Sequence, residues 1–183
     1  DGGYGPRVQH VFEVATGFGL CGVAAIIDRF DVGTVQDRVL LVANTVPAPE
    51  AVPAVHESPE YADLVARFGR VVSLNELIAP EHPFGWSPQA DTHHARLATA
   101  QLLEACGIAP GDPHTLWIES IQGTASQSLA RLFDRARIHI YADGLMTYGP
   151  TRIRVPARIG DRVDEAWAGG ATEICMQGGI HPD

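Results

Sequence analysis

Residues 8–30, VQHVFEVATGFGLCGVAAIIDRF, decide the fold. Val8–Ala15 is an apolar run rich in β-branched residues, the composition of a buried strand. Leu20–Phe30 returns apolar residues every three or four positions, as an amphipathic helix does. Between them lies Gly17-x-Gly19-x-x-Gly22, so the stretch reads as strand, glycine turn and helix.

Outward from this unit the rhythm repeats. Strand-like runs at Arg38–Ala43, Arg70–Leu74, Thr115–Ile121 and Arg137–Tyr141 alternate with helical patterns at Pro59–Phe68, Thr92–Cys106 and Thr124–Phe133. In the third helix Leu97, Leu102, Leu103 and Cys106 carry the apolar face. Gly69 and Gly107 follow their helices where a left-handed terminal residue is favoured. Alternation of this kind predicts an α/β fold, a Rossmann-like doubly wound parallel sheet. Two proline-bearing segments, Thr45–Pro59 and Ile78–Pro88, interrupt it and are expected as long loops, which often carry function.

Composition bounds the rest. At 183 residues, 45% hydrophobic and 19% charged, the chain can pack one domain of ordinary size. Twenty-two acids against thirteen bases, all of them arginine, give a formal charge of -9, which argues against a nucleic-acid surface. The apolar stretch Gly17–Ile27 is far shorter than the roughly 20 residues that span a bilayer, so no transmembrane segment is expected. The three cysteines, Cys21, Cys106 and Cys175, are scattered and form no CxxC pair. Neither disulfides nor zinc is indicated, and a cytoplasmic location is expected. Cys21 and Cys106 read as small core residues. Asp1 in place of Met reads as a fragment or processed end.

The glycine motif leaves three readings open. It is placed for dinucleotide binding, in which glycines let backbone amides approach a phosphate at a helix N-terminus. Against this, the second strand ends Ala43-Asn44-Thr45, where a nicotinamide enzyme places an acid for the ribose. Tight packing by small residues, or a loop that contacts a glycan or phosphate, would use the same glycines. At the fifth strand end stands Tyr141-Ala142-Asp143-Gly144. Carboxyl ends of parallel strands face the ligand crevice, so Asp143 sits where a reacting group would, although a lone Asp-Gly there is also a common turn.

The run Ala142-Asp143-Gly144-Leu145-Met146, continued by Tyr148-Gly149-Pro150-Thr151-Arg152, resembles the bacterial polysialyltransferase family. Arg38–Asn44, Val71–Pro80, Trp86-Ser87-Pro88 and Glu119-Ser120-Ile121-Gln122 add to the likeness over about residues 10–155. The resemblance implies a GT-B glycosyltransferase of capsule or glycan biosynthesis that moves sialic acid from CMP-sialic acid to a glycan hydroxyl. It assigns residues 1–157 to the acceptor-side domain and implies membrane association of a full-length enzyme. Asp143 maps onto the general base, with Ala142 replacing a first acid. A positioned carboxylate that takes the acceptor proton contributes on the order of 100- to 10,000-fold. Thr16, Gly17 and Gly19 would line the acceptor side together with Ser120 and Gly144. Glu119 would either orient the acceptor or cap the neighbouring helix. The family also needs a His-Pro motif in a second, nucleotide-binding domain. His82-Pro83 and His181-Pro182 are not placed to supply it, so this stretch alone is expected to be inactive.

Residues 158–183 differ in kind. Gly169–Pro182, preceded by Asp161–Trp167, is similar to a segment of the deazaflavin (FO) synthase family, radical enzymes of coenzyme F420 biosynthesis. That likeness implies S-adenosylmethionine and a [4Fe-4S] cluster on a barrel, yet the cluster-binding CxxxCxxC is absent. A noncatalytic nucleotide- or glycan-binding module is a third possibility. No metal is expected: His93 and His94 are adjacent, hence about 100° apart on a helix, and read as a solvated helix start capped by Asp91 or Thr92.

Overall fold

The structure, a computed structural model, describes residues 8–89, 92–120 and 123–141. Among them five strands, β1 (Gln9–Val14), β2 (Arg38–Val42), β3 (Arg70–Ser73), β4 (His114–Ile118) and β5 (Arg137–Ile140), form one sheet in the order β3-β2-β1-β4-β5. Every pairing is parallel, with Val11 opposite Val39 and Leu116, and Ile138 opposite Leu116. The α-helices among the described residues are α1 (Gly17–Phe30), α2 (Ala62–Val65), α3 (Leu74–Ile78), α4 (His93–Cys106) and α5 (Thr124–Leu132). The α/β fold expected from the sequence is therefore present.

Successive strand residues point to opposite faces, and that alternation sorts the core into two layers. Phe12, Val14, Leu40, Val42 and Trp117 face α1, whose Leu20, Val23 and Ile27 recur at helical spacing. Val11, Val39, Leu41, Leu116 and Ile138 face the opposite layer, which includes Leu102 and Cys106 of α4 and Leu129 and Leu132 of α5. Each such side chain, fully buried, contributes roughly 1.5–3 kcal/mol of transfer free energy.

Local chemistry sets the helix ends. Thr16 and Thr92 cap α1 and α4 by accepting from Gly19 N at 2.9 Å and Ala95 N at 3.0 Å. Gly107 ends α4 at φ 71°, the left-handed conformation expected of it.

Several expectations need correction. Pro59–Phe68 is not one helix: Pro59–Tyr61 is a 3-10 turn and α2 has four residues, because Arg67 N and Phe68 N reach back to Leu64 O and Val65 O and tighten the chain. Gly69 is not left-handed. It is small because its amide bonds Val35 O at 2.7 Å, and a Cβ there would lie 2.6 Å from that oxygen. Leu97 is 51% exposed and leaves the α4 seam to Ala95, Leu102 and Cys106. Cys21 is exposed, since α1 buries Leu20, Val23, Ala24 and Ile27. Cys106 is in the core as expected, and burial pushes its thiol up to about 12. No described helix is long and apolar enough to cross a membrane.

Candidate functional site

The chain runs outward from β1 to β3 on one side and from β4 to β5 on the other, so the order reverses between β1 and β4. Open parallel sheets place ligands at that reversal, beyond the carboxyl ends of the strands. Thr16, Gly17 and Gly19 follow β1 there, and Glu119 and Ser120 follow β4. The fold thus brings together groups about a hundred positions apart in the chain, as the 2.8 Å bond between Thr16 and Glu119 shows. Asp143 and Gly144 lie outside the described residues, as does the whole 158–183 segment.

Glu119 is only 3% exposed and is fully engaged with the β1 turn. Its Oε2 accepts from Ala15 N at 2.6 Å and its Oε1 from the Thr16 hydroxyl at 2.8 Å, while the same hydroxyl oxygen accepts from Gly19 N. A Cβ on Gly19 would lie 2.0 Å from Glu119 Oε1. In a dinucleotide fingerprint the second glycine is bare so that pyrophosphate can approach the backbone. Here a carboxylate of the protein fills that approach, and the positive end of the α1 dipole is met from within. Gly17 is covered as well, since a Cβ would lie 2.1 Å from the Tyr61 hydroxyl. Gly22 is unconfined, with Tyr141 Cδ2 3.9 Å from a Cβ placed there. Gly17 and Gly19 thus pack closely against Tyr61 and Glu119, the tight-packing use of the motif among the three readings.

A second carboxylate, which sequence reasoning did not single out, completes the arrangement. Glu13 of β1 is 2% exposed and points to the other face of the sheet. It accepts from Glu119 N at 2.9 Å and from the Ser126 hydroxyl at 2.9 and 3.0 Å, Ser126 being in the first turn of α5. The two central strands therefore exchange acids: β4 sends Glu119 to the helix that follows β1, and β1 sends Glu13 to the helix that follows β4. Tyr141 adds a bond from its hydroxyl to Glu13 O at 2.5 Å. A signal existed in the sequence, because an acid inside the run Val11-Phe12-Glu13-Val14 is buried on either face and must find donors.

The remaining candidates are structural. His82 ties its loop down, with Nε2 on Val46 O at 2.8 Å and Nδ1 accepting from Phe84 N at 3.1 Å, so His82-Pro83 has no catalytic placement. His93 and His94 are exposed at the start of α4, capped by Thr92 as expected. No group of three or more His, Cys, Asp or Glu among the described residues is placed to hold a metal. Across β4 and β5, His139 stacks on Trp117 at 4.1 Å, and burial, reinforced by Arg137 and His10, brings its pKa down to about 4. His10, 2.8 Å from the Thr115 hydroxyl, is lowered mainly by burial, with Asp37 opposing.

No family model matches the chain, and no solved structure matches it. The FO synthases of Streptomyces coelicolor and Streptomyces avermitilis are each 62% identical to it over 26 residues, 14% of this chain and 3% of theirs. The likeness to FO synthase is thus found, and the chain spans a small fraction of those relatives. The polysialyltransferase likeness rests on the sequence motifs alone.

Proposed function

We propose that residues 1–157 are the acceptor-side half of a GT-B sialyltransferase-type glycosyltransferase, which binds a glycan at the β1–β4 crevice and deprotonates its hydroxyl with Asp143. The observation that carries this reading is the position of Glu119, whose buried carboxylate occupies the anion-binding end of α1. Two carboxylates buried beneath the crevice floor would disfavour a nucleotide phosphate and favour a ligand that presents hydroxyl donors. Such a polarity suits an acceptor domain, with CMP-sialic acid held by a separate nucleotide-binding domain. Thr16, exposed beside Glu119, and Ser120 are the hydroxyl groups nearest in sequence to the floor. Asp143 stands three positions past the end of β5, a strand adjacent to β4 whose carboxyl end opens on the same side.

The test is ligand-observed NMR on the 183-residue chain with a sialylated oligosaccharide and, separately, CMP. Contacts to the oligosaccharide and none to CMP are expected; CMP bound without the oligosaccharide would sink the proposal. CMP release from CMP-sialic acid is expected to be absent from this chain alone.

The 26-residue identity favours a second reading, in which the chain carries a piece of an FO synthase. Visible iron–sulfur absorption after anaerobic reconstitution would favour the radical enzyme. Three dispersed cysteines predict none.

A further inference from the structure

A cleft of about 290 Å³ opens between α4 and the stretch formed by α3 and its following loop, in the core layer opposite α1. That is close to the lower end of small-molecule sites, which are mostly apolar with a few convergent polar groups. His94, Ala98 and Gln101 share one face of α4 and line the cleft along it. Leu77, Ile78 and Pro80 line it from the other side.

Trp86 joins these walls, and its backbone is fixed at both ends. Its N–H donates to His82 O at 3.0 Å and its carbonyl accepts from the Ser128 hydroxyl at 2.8 Å. The side chain is 2% exposed and packs in the same core layer as Leu102. A buried tryptophan ordinarily finds an acceptor for its indole N–H. The indole N–H of Trp86 donates to none of the described residues. Nor is that nitrogen sealed off, since the sealed side-chain atoms without a partner among the described residues are His56 Nδ1 and His114 Nε2. It therefore borders open space, and the open space that Trp86 lines is this cleft.

The other polar groups narrow the class of ligand. Gln101 is exposed, and its amide, a donor beside an acceptor, bonds to none of the described residues. Glu81 Oε1 lies 3.8 Å from His94 Nε2, both side chains being at least half exposed, so charge stays at the rim. No arginine lines the cleft, and an anion entering it would meet the Glu81 carboxylate. The walls suit a flat apolar body, the indole N–H needs an acceptor, and the Gln101 amide pairs best with a group that both donates and accepts.

We propose that this cleft binds a small neutral aromatic carboxamide, its ring against Leu77, Pro80 and Leu102, its carbonyl oxygen on the Trp86 indole N–H and its amide edge on Gln101. The inference does not rest on the glycosyltransferase reading, which concerns the β1–β4 crevice.

Calorimetry and NMR on the 183-residue chain would use benzamide, toluene, benzoate and benzylamine, which share a ring and differ in the group it carries. Benzamide is expected to bind at millimolar concentration and the other three at least about tenfold more weakly. In a 15N-labelled chain the indole cross-peak lost in Trp86→Phe is expected to move with benzamide and to stay in place with toluene. Gln101→Leu, at an exposed helix position, is expected to weaken benzamide by about tenfold without moving the thermal midpoint, and it serves if Trp86→Phe does not fold. The proposal is overturned if benzamide does not bind, if toluene, benzoate or benzylamine matches it, if the Trp86 cross-peak stays in place when it binds, or if Gln101→Leu binds it equally well.

Discussion

A single methyl group at position 19 tests how the two central strands are tied together. Alanine normally improves a helix over glycine by about 1 kcal/mol. At Gly19 the added carbon would stand 2.0 Å from Glu119 Oε1, and that carboxylate is pinned by Ala15 N and the Thr16 hydroxyl. Gly19→Ala is therefore expected to lose roughly 2–3 kcal/mol in urea unfolding, the usual cost of forcing a well-packed site. Glu119→Ala strands the two donors and is expected to lose a similar amount, roughly 2–4 kcal/mol. The informative measurement is the double variant. Once the carboxylate is gone the space above residue 19 is free, so the two losses should fall short of adding by at least about 1 kcal/mol. Additive losses, to within about 0.5 kcal/mol, would mean that the contact between these residues is not what makes position 19 intolerant.

Pairs of strands carry their own prediction. Trp117 and His139 are register partners on β4 and β5, and their rings lie 4.1 Å apart at 15°. His139 has a pKa of about 4 in the folded chain against an ordinary 6.5. Above pH 6.5 it is neutral in both folded and unfolded states and contributes no pH dependence. Between pH 6.5 and about 4 the unfolded chain takes up the proton and the folded chain does not, so stability falls as the pH falls. The loss approaches on the order of 3 kcal/mol below that window. Denaturant melts of wild type and His139→Gln across it should differ in slope, the variant being flatter; parallel slopes would refute the assignment. The strands themselves were legible because apolar, β-branched runs recur, buried throughout β2 and through most of β1 and β4, while the edge strands β3 and β5 bury only part of theirs. Helix lengths were less so. Leu74–Ile78 was hidden because it begins directly after β3, where Ser73 ends the strand and caps the helix in one residue. Pro59–Phe68 was over-read because the apolar spacing survives in a 3-10 turn. At the site, Thr16, Gly17, Gly19 and Glu119 could be named from strand ends alone. The burial of Glu13 was signalled by its run, but its partners, like those of Tyr61, depend on which helix lands beside which strand.

Over the whole molecule the formal charge is -9, and at the carboxyl edge of the sheet Glu119 and Glu13 are buried against the helices that follow β1 and β4. In the usual doubly wound sheet that edge is electropositive, because helix N-termini converge on it and their amides await an anion. Here the exchange of Glu119 and Glu13 across β1 and β4 supplies the anions from the protein itself. The architecture is retained, with a protein carboxylate at the N-terminus of α1 where such sheets await an anion. If that account is right, the anion site is latent rather than lost. Glu119→Ala frees Ala15 N, the Thr16 hydroxyl and the space above Gly19, and inorganic phosphate can take the carboxylate's place. Thermal unfolding in phosphate, compared with chloride at equal ionic strength, reads this directly. Wild type is expected to show no difference between the two salts. The variant, destabilised overall, is expected to regain stability as phosphate rises, following RT ln(1 + [L]/Kd), about 1.4 kcal/mol at ten times Kd. A wild type stabilised by phosphate as strongly as the variant would show that the α1 terminus was never filled, and the case for a hydroxyl-binding crevice would go with it.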